Sequence, residues 1–67
     1  MLVSVTIPVY NEEAQLATSI TKLEKCCAAQ RQFEWELVIA NNGSTDRTLE
    51  IARELAREHS RVRLLDL

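Results

Sequence analysis

The sequence has 67 residues, of which 46% are hydrophobic and 27% are charged, and its formal net charge is −2. This length allows one small domain, and the composition excludes a disordered tail. Arginines near the C-terminus alternate with glutamates, so we expect no basic surface for DNA or RNA. Adjacent Cys26 and Cys27 fit neither a zinc site nor a redox pair. We predict that both are buried or half-buried free thiols, which suits a reducing compartment.

The first predicted elements are a strand over residues 2–8 and a helix over residues 12–29. β-branched residues alternate with polar residues and Pro8 along the first segment, which is typical of a strand, and Pro8 should end its pairing. Asn11 is then expected to cap the helix, with Glu12 and Glu13 in its first turn against the positive end of the dipole. Apolar residues follow at helical spacing and predict one buried stripe: Leu16, Ile20, Leu23 and Cys27.

A second strand is predicted over residues 35–40, a second helix over residues 45–59 and a third strand over residues 62–67. The apolar run from residue 37 to 40 is too short for a helix, and Asn42-Gly43 is typical of a turn. Ser44 or Thr45 is the predicted cap of the second helix. His59 is expected in its last turn, where the dipole favours an imidazolium.

The predicted order βαβαβ indicates an α/β fold. Two right-handed crossovers give three parallel strands in spatial order 3-2-1, with both helices on one face. Phe33 and Trp35 should close the core at the end of the sheet opposite to the helix-leading loops. The other face would be uncovered, although parallel strands are normally buried on both faces. We therefore expect a fragment that self-associates or packs against the missing remainder of its domain.

The carboxyl ends of strands one and two are predicted to form the binding site, because ligands bind there in open parallel sheets. An aromatic ring can stack on a base, a carboxylate can accept from ribose hydroxyls, and an amide can pair with a base edge. These residues outline a nucleoside pocket; alternatively, they only cap helices and form turns. The candidates are Pro8, Tyr10, Asn11, Glu12, Asn41, Asn42 and Gly43, with Ser44 and Thr45 beside them.

Two segments, IPVYNEEAQL and VIANNGSTDRT, resemble the N-terminal part of family 2 glycosyltransferases. These enzymes have the Rossmann-like GT-A fold and transfer a sugar from a nucleotide diphosphate to an acceptor. The resemblance covers essentially the whole chain and implies that Pro8, Tyr10 and Glu12 contact base and ribose. The family pattern is close to IPxYNE and VDDGSTDxT, so Asn41 and Asn42 stand where it has two acids. Asn41 would occupy the place of the acid that reads the base edge.

The sequences of both motifs are most similar to those of polyprenyl-phosphate sugar transferases of the dolichyl-phosphate mannose synthase kind. This implies a nucleotide diphosphate sugar as donor and a polyprenyl phosphate as acceptor, at the cytoplasmic face of a membrane. In the family, the acids that hold Mg²⁺ or Mn²⁺ and the general base lie downstream of the third strand. We therefore expect no catalytic residue and no metal ligand here, and an inactive, cytoplasmic chain. Asp66 is expected to be an edge or loop-facing residue that replaces neither.

Two other interpretations come from the same residues. The chain could be a small assembly or interaction module that acts through its uncovered face. A dinucleotide-binding oxidoreductase is disfavoured, because the corner PVYNEE lacks the glycines that bring a backbone close to pyrophosphate.

The amide at Asn41 predicts a donor base. Guanine presents two adjacent donors that suit a carboxylate, whereas uracil presents one ring N–H between two carbonyls, which suits an amide. This predicts a uridine donor, although the resemblance to mannose synthases favours guanosine.

Overall fold

The computed structural model describes all residues from Met1 to Leu67. Its elements in chain order are β1 (Leu2–Val9), α1 (Leu16–Ala28), β2 (Glu34–Asn41), α2 (Thr48–Glu58) and β3 (Val62–Asp66). All three strands are parallel, and β2 lies between β1 and β3. The predicted α/β fold, a βαβαβ unit with a three-stranded parallel sheet, is therefore confirmed.

One face of the sheet packs against both helices. Side chains alternate between the two faces of a strand, so every second residue of β1 and β2 points toward the helices. Leu37 and Ile39 of the central strand are completely buried, as are Ile20 of α1 and Ala52 of α2. We call the nine-residue cluster around them the apolar layer; it comprises Val9, Leu16, Ile20, Trp35, Leu37, Ile39, Ala52, Leu55 and Val62.

The opposite face of the sheet has no helix over it and is mixed in polarity. Along β1 this face carries the exposed residues Leu2, Ser4, Thr6 and Pro8. Between β2 and β3, Arg63 Nε lies 3.2 Å from Glu36 Oε1 in an ion pair. The predicted one-sided arrangement is thus present, but hydroxyls and charges interrupt the apolar surface.

The end of β1 differs from the prediction that Pro8 stops the pairing. Pro8 aligns with Ala40, and the ladder continues to Val9, which aligns with Asn41. The carbonyl of Val9 accepts from the N–H of Asn42 at 3.1 Å, so the backbone of Val9 faces β2. The backbone of Pro8 then faces the open edge, where a missing N–H interrupts no hydrogen bond.

Both helices begin later than predicted, and the predicted caps are wrong. α1 begins at Leu16 and α2 at Thr48, and neither has a side-chain cap at the preceding residue. Asn11 does not cap α1, because its side chain bonds to the second loop instead. Glu12 lies ahead of α1, in a turn where its carbonyl accepts from the N–H of Leu16 at 2.9 Å. The oxygens expected to cap each helix are used to join the two loops.

The aromatic residues lie where the sequence predicts. Trp35 belongs to the apolar layer, and Phe33 packs against it as a partly buried residue. The guanidinium of Arg61 lies 5.0 Å from the centre of the Trp35 ring and donates to the Trp35 carbonyl at 2.9 Å. The start of β2 is therefore covered both by apolar contacts and by a cation over an aromatic face.

The prediction for the two cysteines is only half right. Cys27 is half-buried against the apolar layer, whereas Cys26 is exposed. Successive residues of an α-helix point about 100° apart, so only one of the two faces the sheet.

The predicted position of His59 at the C-terminal end of α2 is confirmed, because it follows the last residue of α2 and its backbone N–H donates to the Leu55 carbonyl at 2.9 Å. Its Nδ1 also lies 3.0 Å from Glu24 Oε1, which ties the end of α2 to α1.

Neither helix is long and apolar enough to cross a membrane.

Candidate functional site

The candidate site lies where the three strands end and the chain turns toward the helices. We define the first loop as residues 10–15, between β1 and α1, and the second loop as residues 42–47, between β2 and α2. Strand register aligns Val9, Asn41 and Asp66 in one row across the sheet. We call this row, the two loops and Thr48, the first residue of α2, the carboxyl edge.

Asn11 joins the first loop to the second. Its N–H donates to Ser44 Oγ at 3.1 Å, and its Oδ1 accepts from the Thr45 N–H at 2.8 Å. The backbone of Asn11 has a φ of 49°, in the left-handed region. Asparagine adopts this conformation more readily than most residues, so its side chain and its backbone both suit the position.

Thr48 forms a second link between the loops. This residue is completely buried, and its Oγ1 accepts from the Glu12 N–H at 2.7 Å. The Thr48 hydroxyl and N–H both donate to Asp46 Oδ1, while Asp46 Oδ2 accepts from the Glu13 N–H at 3.3 Å. Three donors, two from the first residue of α2 and one from the first loop, therefore converge on one carboxylate.

These contacts set the pKa of Asp46. Partial desolvation acts to raise that pKa, but the bonds from the Thr48 hydroxyl, the Thr48 N–H and the Glu13 N–H outweigh it. The net effect holds the pKa of Asp46 below its usual value, because each donor favours the charged form.

Asn41 lies beneath the loops and is only 2% exposed. Its Oδ1 accepts from Ser44 Oγ at 2.6 Å, and its Nδ2 donates to Asp66 Oδ1 at 3.0 Å. A carboxylate can only accept, so Asp66 fixes which end of the Asn41 amide is the donor. Hydrogen bonds thus run in one direction from the Asn11 N–H through Ser44 and Asn41 to Asp66.

The other predicted site residues are exposed and lie in the carboxyl edge or, like Pro8, directly before it. Tyr10 is 59% exposed, and Pro8, Glu12 and Asn42 are also exposed. Gly43 has a φ of 68°, which favours glycine, and a side chain added there would contact nothing. An open cleft of about 370 Å³ is lined by Tyr10, Asn11, Glu12, Glu13, Ala14, Gln15 and Asp46.

The cleft differs in one respect from the expected loop site. The N–H groups of Asn11, Glu12 and Glu13 are bonded to Ser44, Thr48 and Asp46, so they are not free to hold an anion. What the cleft presents is the ring of Tyr10 and exposed carboxylates. Such groups suit the flat face of a base and the hydroxyls of a ribose better than a phosphate.

Three residues of this region were not among the sequence-predicted site residues: Asp46, Thr48 and Asp66. Asp46 accepts from the N–H of Thr48, two residues further along the chain. An aspartate just before a helix commonly makes this contact, and the sequence Asp-Arg-Thr is compatible with it. Asp66 could have been identified by aligning the ends of the predicted strands, because it ends β3 as Asn41 ends β2. No three His, Cys, Asp or Glu side chains in the structure are placed to hold a metal ion.

Comparison with known proteins identifies the family of this chain. The sequence model of the family described as Glycosyl transferase family 2 matches residues 4–67. The chain belongs to this family. Its sheet and two helices correspond to the N-terminal, Rossmann-like half of the GT-A fold, and the family resemblance of both motifs is confirmed.

Family 2 relatives similar to this chain include transferases named for lipid-phosphate acceptors. A dolichyl-phosphate beta-glucosyltransferase of Trichomonas vaginalis is 38% identical over 68 residues, which cover 96% of this chain and 21% of the relative. An undecaprenyl-phosphate 4-deoxy-4-formamido-L-arabinose transferase of Pectobacterium carotovorum is 46% identical over 56 residues, which cover 81% of this chain and 16% of the relative. The chain thus spans about a fifth of the length of such relatives.

Proposed function

We propose that this chain is the donor-nucleotide-binding part of a family 2 glycosyltransferase that transfers a sugar from a nucleotide diphosphate sugar to a polyprenyl phosphate. The observation that carries the proposal is the placement of Tyr10, Asn11 and Glu12 in one cleft, linked through Ser44 to Asn41. Relatives named for dolichyl and undecaprenyl phosphate support a lipid-phosphate acceptor. Such an acceptor would place the complete protein at a membrane, and we propose its cytoplasmic face.

Each predicted site residue has a part in this proposal. The exposed ring of Tyr10 stacks on the base, with Pro8 beside it at the end of β1. The carboxylate of Glu12 accepts from ribose hydroxyls, since only its N–H is engaged by Thr48. Asn42 and Gly43 form the turn along which the nucleotide lies, where glycine lets a ligand approach the backbone. Asn11 and Asn41 hold the two loops in this arrangement.

The chain's contribution to transfer is to bind and orient the donor. A divalent cation, Mg²⁺ or Mn²⁺, on the diphosphate of the donor is part of the proposal for the complete protein. The acids of this chain do not fit that role, because no three of them converge on one point. Metal binding and acceptor deprotonation are therefore assigned to other residues of the complete protein.

Nucleotide binding tests the proposal directly. Tyr10→Ala should weaken the binding of uridine diphosphate to the complete protein by about tenfold or more, because stacking on an aromatic ring contributes roughly 1–3 kcal/mol. Glu12→Gln should weaken it by a smaller factor, and removal of the ribose hydroxyls from the ligand should abolish the difference between Glu12 and Gln. Isothermal titration calorimetry measures all these values.

The matched control is Glu50→Gln, which removes an acid that pairs with Arg47 and is 65% exposed on α2. It should leave nucleotide binding unchanged. If Tyr10→Ala and Glu12→Gln bind as tightly as the unaltered protein, the nucleotide site is elsewhere. If no nucleotide diphosphate binds, the interpretation as a non-catalytic interaction module gains support.

Two further measurements define the chemistry and the donor. The 67-residue chain alone, supplied with a divalent metal, should transfer sugar only at the background rate, because the metal ligands and the general base are assigned to other residues of the complete protein. Metal-dependent turnover that survives repurification would contradict this.

In the complete protein, uridine diphosphate should compete more strongly than guanosine diphosphate. Tighter binding of the guanosine compound, unchanged by Asn41→Asp, would contradict the predicted base.

A further inference from the structure

Asp66 is the acid that ends β3, and it lies beside the central strand of the site. Register aligns it with Asn41, and its Oδ1 accepts from Asn41 Nδ2 at 3.0 Å. Asn41 is 2% exposed, whereas Asp66 is an exposed residue. The pair therefore has an inner amide and an outer carboxylate, and the charge lies on the partner that a ligand can reach.

The pair explains why position 41 is an amide in this chain. An aspartate at position 41 would bring two carboxylates to hydrogen-bond distance, and like charges this close cannot both ionise readily. An amide at position 41 instead donates to Asp66 with one end and accepts from Ser44 with the other. Positions 41 and 66 thus share one amide and one carboxylate across two neighbouring strands.

We propose, building on the donor-nucleotide function above, that Asp66 reads the base of the donor: its second oxygen, Oδ2, accepts the ring N–H of uracil while Asn41 holds Oδ1. Asp66 is then a specificity-determining residue, and Asn41 is the residue that positions it.

The geometry of the sheet suits this assignment. Neighbouring strands lie about 4.8 Å apart, so β1 and β3 are separated by roughly 10 Å across β2. Tyr10 follows the end of β1, and Asp66 ends β3 in the same row. Asp66 does not line the cleft beside Tyr10, so a base stacked on the Tyr10 ring must extend beyond that cleft, across the end of β2, for its polar edge to meet Asp66.

The number of free acceptors selects the base. Oδ1 already accepts from Asn41, whereas Oδ2 has no hydrogen-bond partner in the structure and is the oxygen that faces the ligand in this proposal. Uracil presents a single ring N–H, which one oxygen can accept. Cytosine has an acceptor at the corresponding ring nitrogen and would meet a carboxylate with like polarity.

Asp66→Asn in the complete protein tests this assignment with almost no change of shape. The substituted side chain keeps an oxygen for the Asn41 amide, but its outer group becomes an NH₂ donor. Uridine diphosphate should then bind roughly 10- to 100-fold more weakly, as expected for loss of a charged hydrogen bond. Cytidine diphosphate should bind more tightly than before, because the new donor meets its ring acceptor. Calorimetry with both nucleotides gives the affinity ratio, which should fall at least tenfold.

The exchanged variant Asn41→Asp/Asp66→Asn provides the second measurement. The amide, now at position 66, donates to the carboxylate at position 41 and turns its oxygen outward, so the preference for uridine diphosphate should return. Glu50→Gln should leave the affinity ratio unchanged, and thermal unfolding checks that each variant is folded.

The outcomes separate this inference from the proposed function. An unaltered ratio in Asp66→Asn, with uridine diphosphate still bound, would overturn the role of Asp66 and leave the donor site intact. The same ratio shift in the exchanged variant would also overturn it, because the outward oxygen would then have no effect. If the unaltered protein binds neither nucleotide, the donor-nucleotide function fails and the role of Asp66 fails with it.

Discussion

The apolar layer and the carboxyl edge belong to the same sheet, but different forces hold them. Leu37 and Ile39 are buried among aliphatic side chains that pack without directional bonds. At the carboxyl edge, hydrogen bonds connect residues more than twenty positions apart in the sequence. These bonds involve Asn11, Thr48 and Asn41, each with a partner on another element or loop. The free energy gained by burying apolar side chains is roughly proportional to the buried area, so it tolerates small shifts of the side chains. A hydrogen bond, in contrast, is lost when its distance or angle changes. The layer thus supplies stability, and the edge supplies a defined arrangement of polar groups.

The largest effect is expected in the apolar layer. Leu37→Ala should lower the free energy of unfolding by about 2–5 kcal/mol, since it leaves a cavity at a completely buried position. A chain this small has little stability to lose, so cooperative unfolding in urea should disappear. The control is Leu65→Ala on the uncovered face, where the side chain is 50% exposed. Equal losses in the two variants would show that the helix-covered face is not the core.

At the carboxyl edge, Thr48→Val should have the next largest effect. It preserves the shape of a buried side chain but removes the hydroxyl that accepts from the Glu12 N–H. Leaving that donor without a partner should cost about 1–3 kcal/mol and speed hydrogen exchange at the Glu12 amide. Thr21→Val is the matched control, because its hydroxyl only donates to the Ala17 carbonyl on an exposed helix surface. Unchanged exchange at Glu12 would argue against the link between the loops.

The two faces of the sheet can be compared through self-association. The uncovered face and the open edge of β1 should drive the 67-residue chain to associate, as exposed strands do. Thr6→Lys places a charge in the middle of this face and should raise the dissociation constant about tenfold or more. Sedimentation over a concentration series measures this. Only monomer at high concentration, without dye binding to apolar surface, would contradict the prediction.

The smallest expected effect is the pH dependence contributed by Asp46. Its pKa in the folded chain is below the usual 3.8, so its charged form stabilises the fold above pH 3.8. That contribution is lost as the pH falls through the lower folded value. The stability difference between the unaltered chain and Asp46→Asn should therefore shrink in acid. Urea titrations at neutral pH and below pH 3.8 measure it, with Glu50→Gln as the surface control. A difference that grows in acid would contradict the assigned donors.

The fold could be predicted from the sequence because its signals are local and repeated. Alternation along β1 and the stripe that includes Leu16 and Ile20 each recur within a few residues. Short connections and the fixed hand of crossovers then leave few ways to arrange parallel strands. Cys26 was predicted wrongly because both thiols were assigned to the interior by residue type, although the predicted stripe contains Cys27 and a neighbour about 100° away cannot share its face.

The carboxyl edge could be predicted in composition but not in its bonds. Asn11 and Ser44 have the side chains of helix caps, and local reasoning assigns each to the helix that follows it. In the structure they bond to each other's loop, 33 residues apart, because the strand register brings the two corners together. The same register pairs Asn41 with Asp66. Such pairings depend on tertiary contacts and therefore appear only once the strands are aligned.

The single tryptophan and the single tyrosine lie in the two regions compared above, and this gives the chain two separate optical reporters. Trp35 is 9% exposed under the guanidinium of Arg61, while Tyr10 is 59% exposed at the other end of the sheet. Tryptophan emission consequently follows the integrity of the apolar layer and should stay constant when the loops rearrange. A ligand that stacks on Tyr10 should quench tyrosine emission alone. One fluorescence spectrum can therefore distinguish a variant that has unfolded from one that has only lost its ligand.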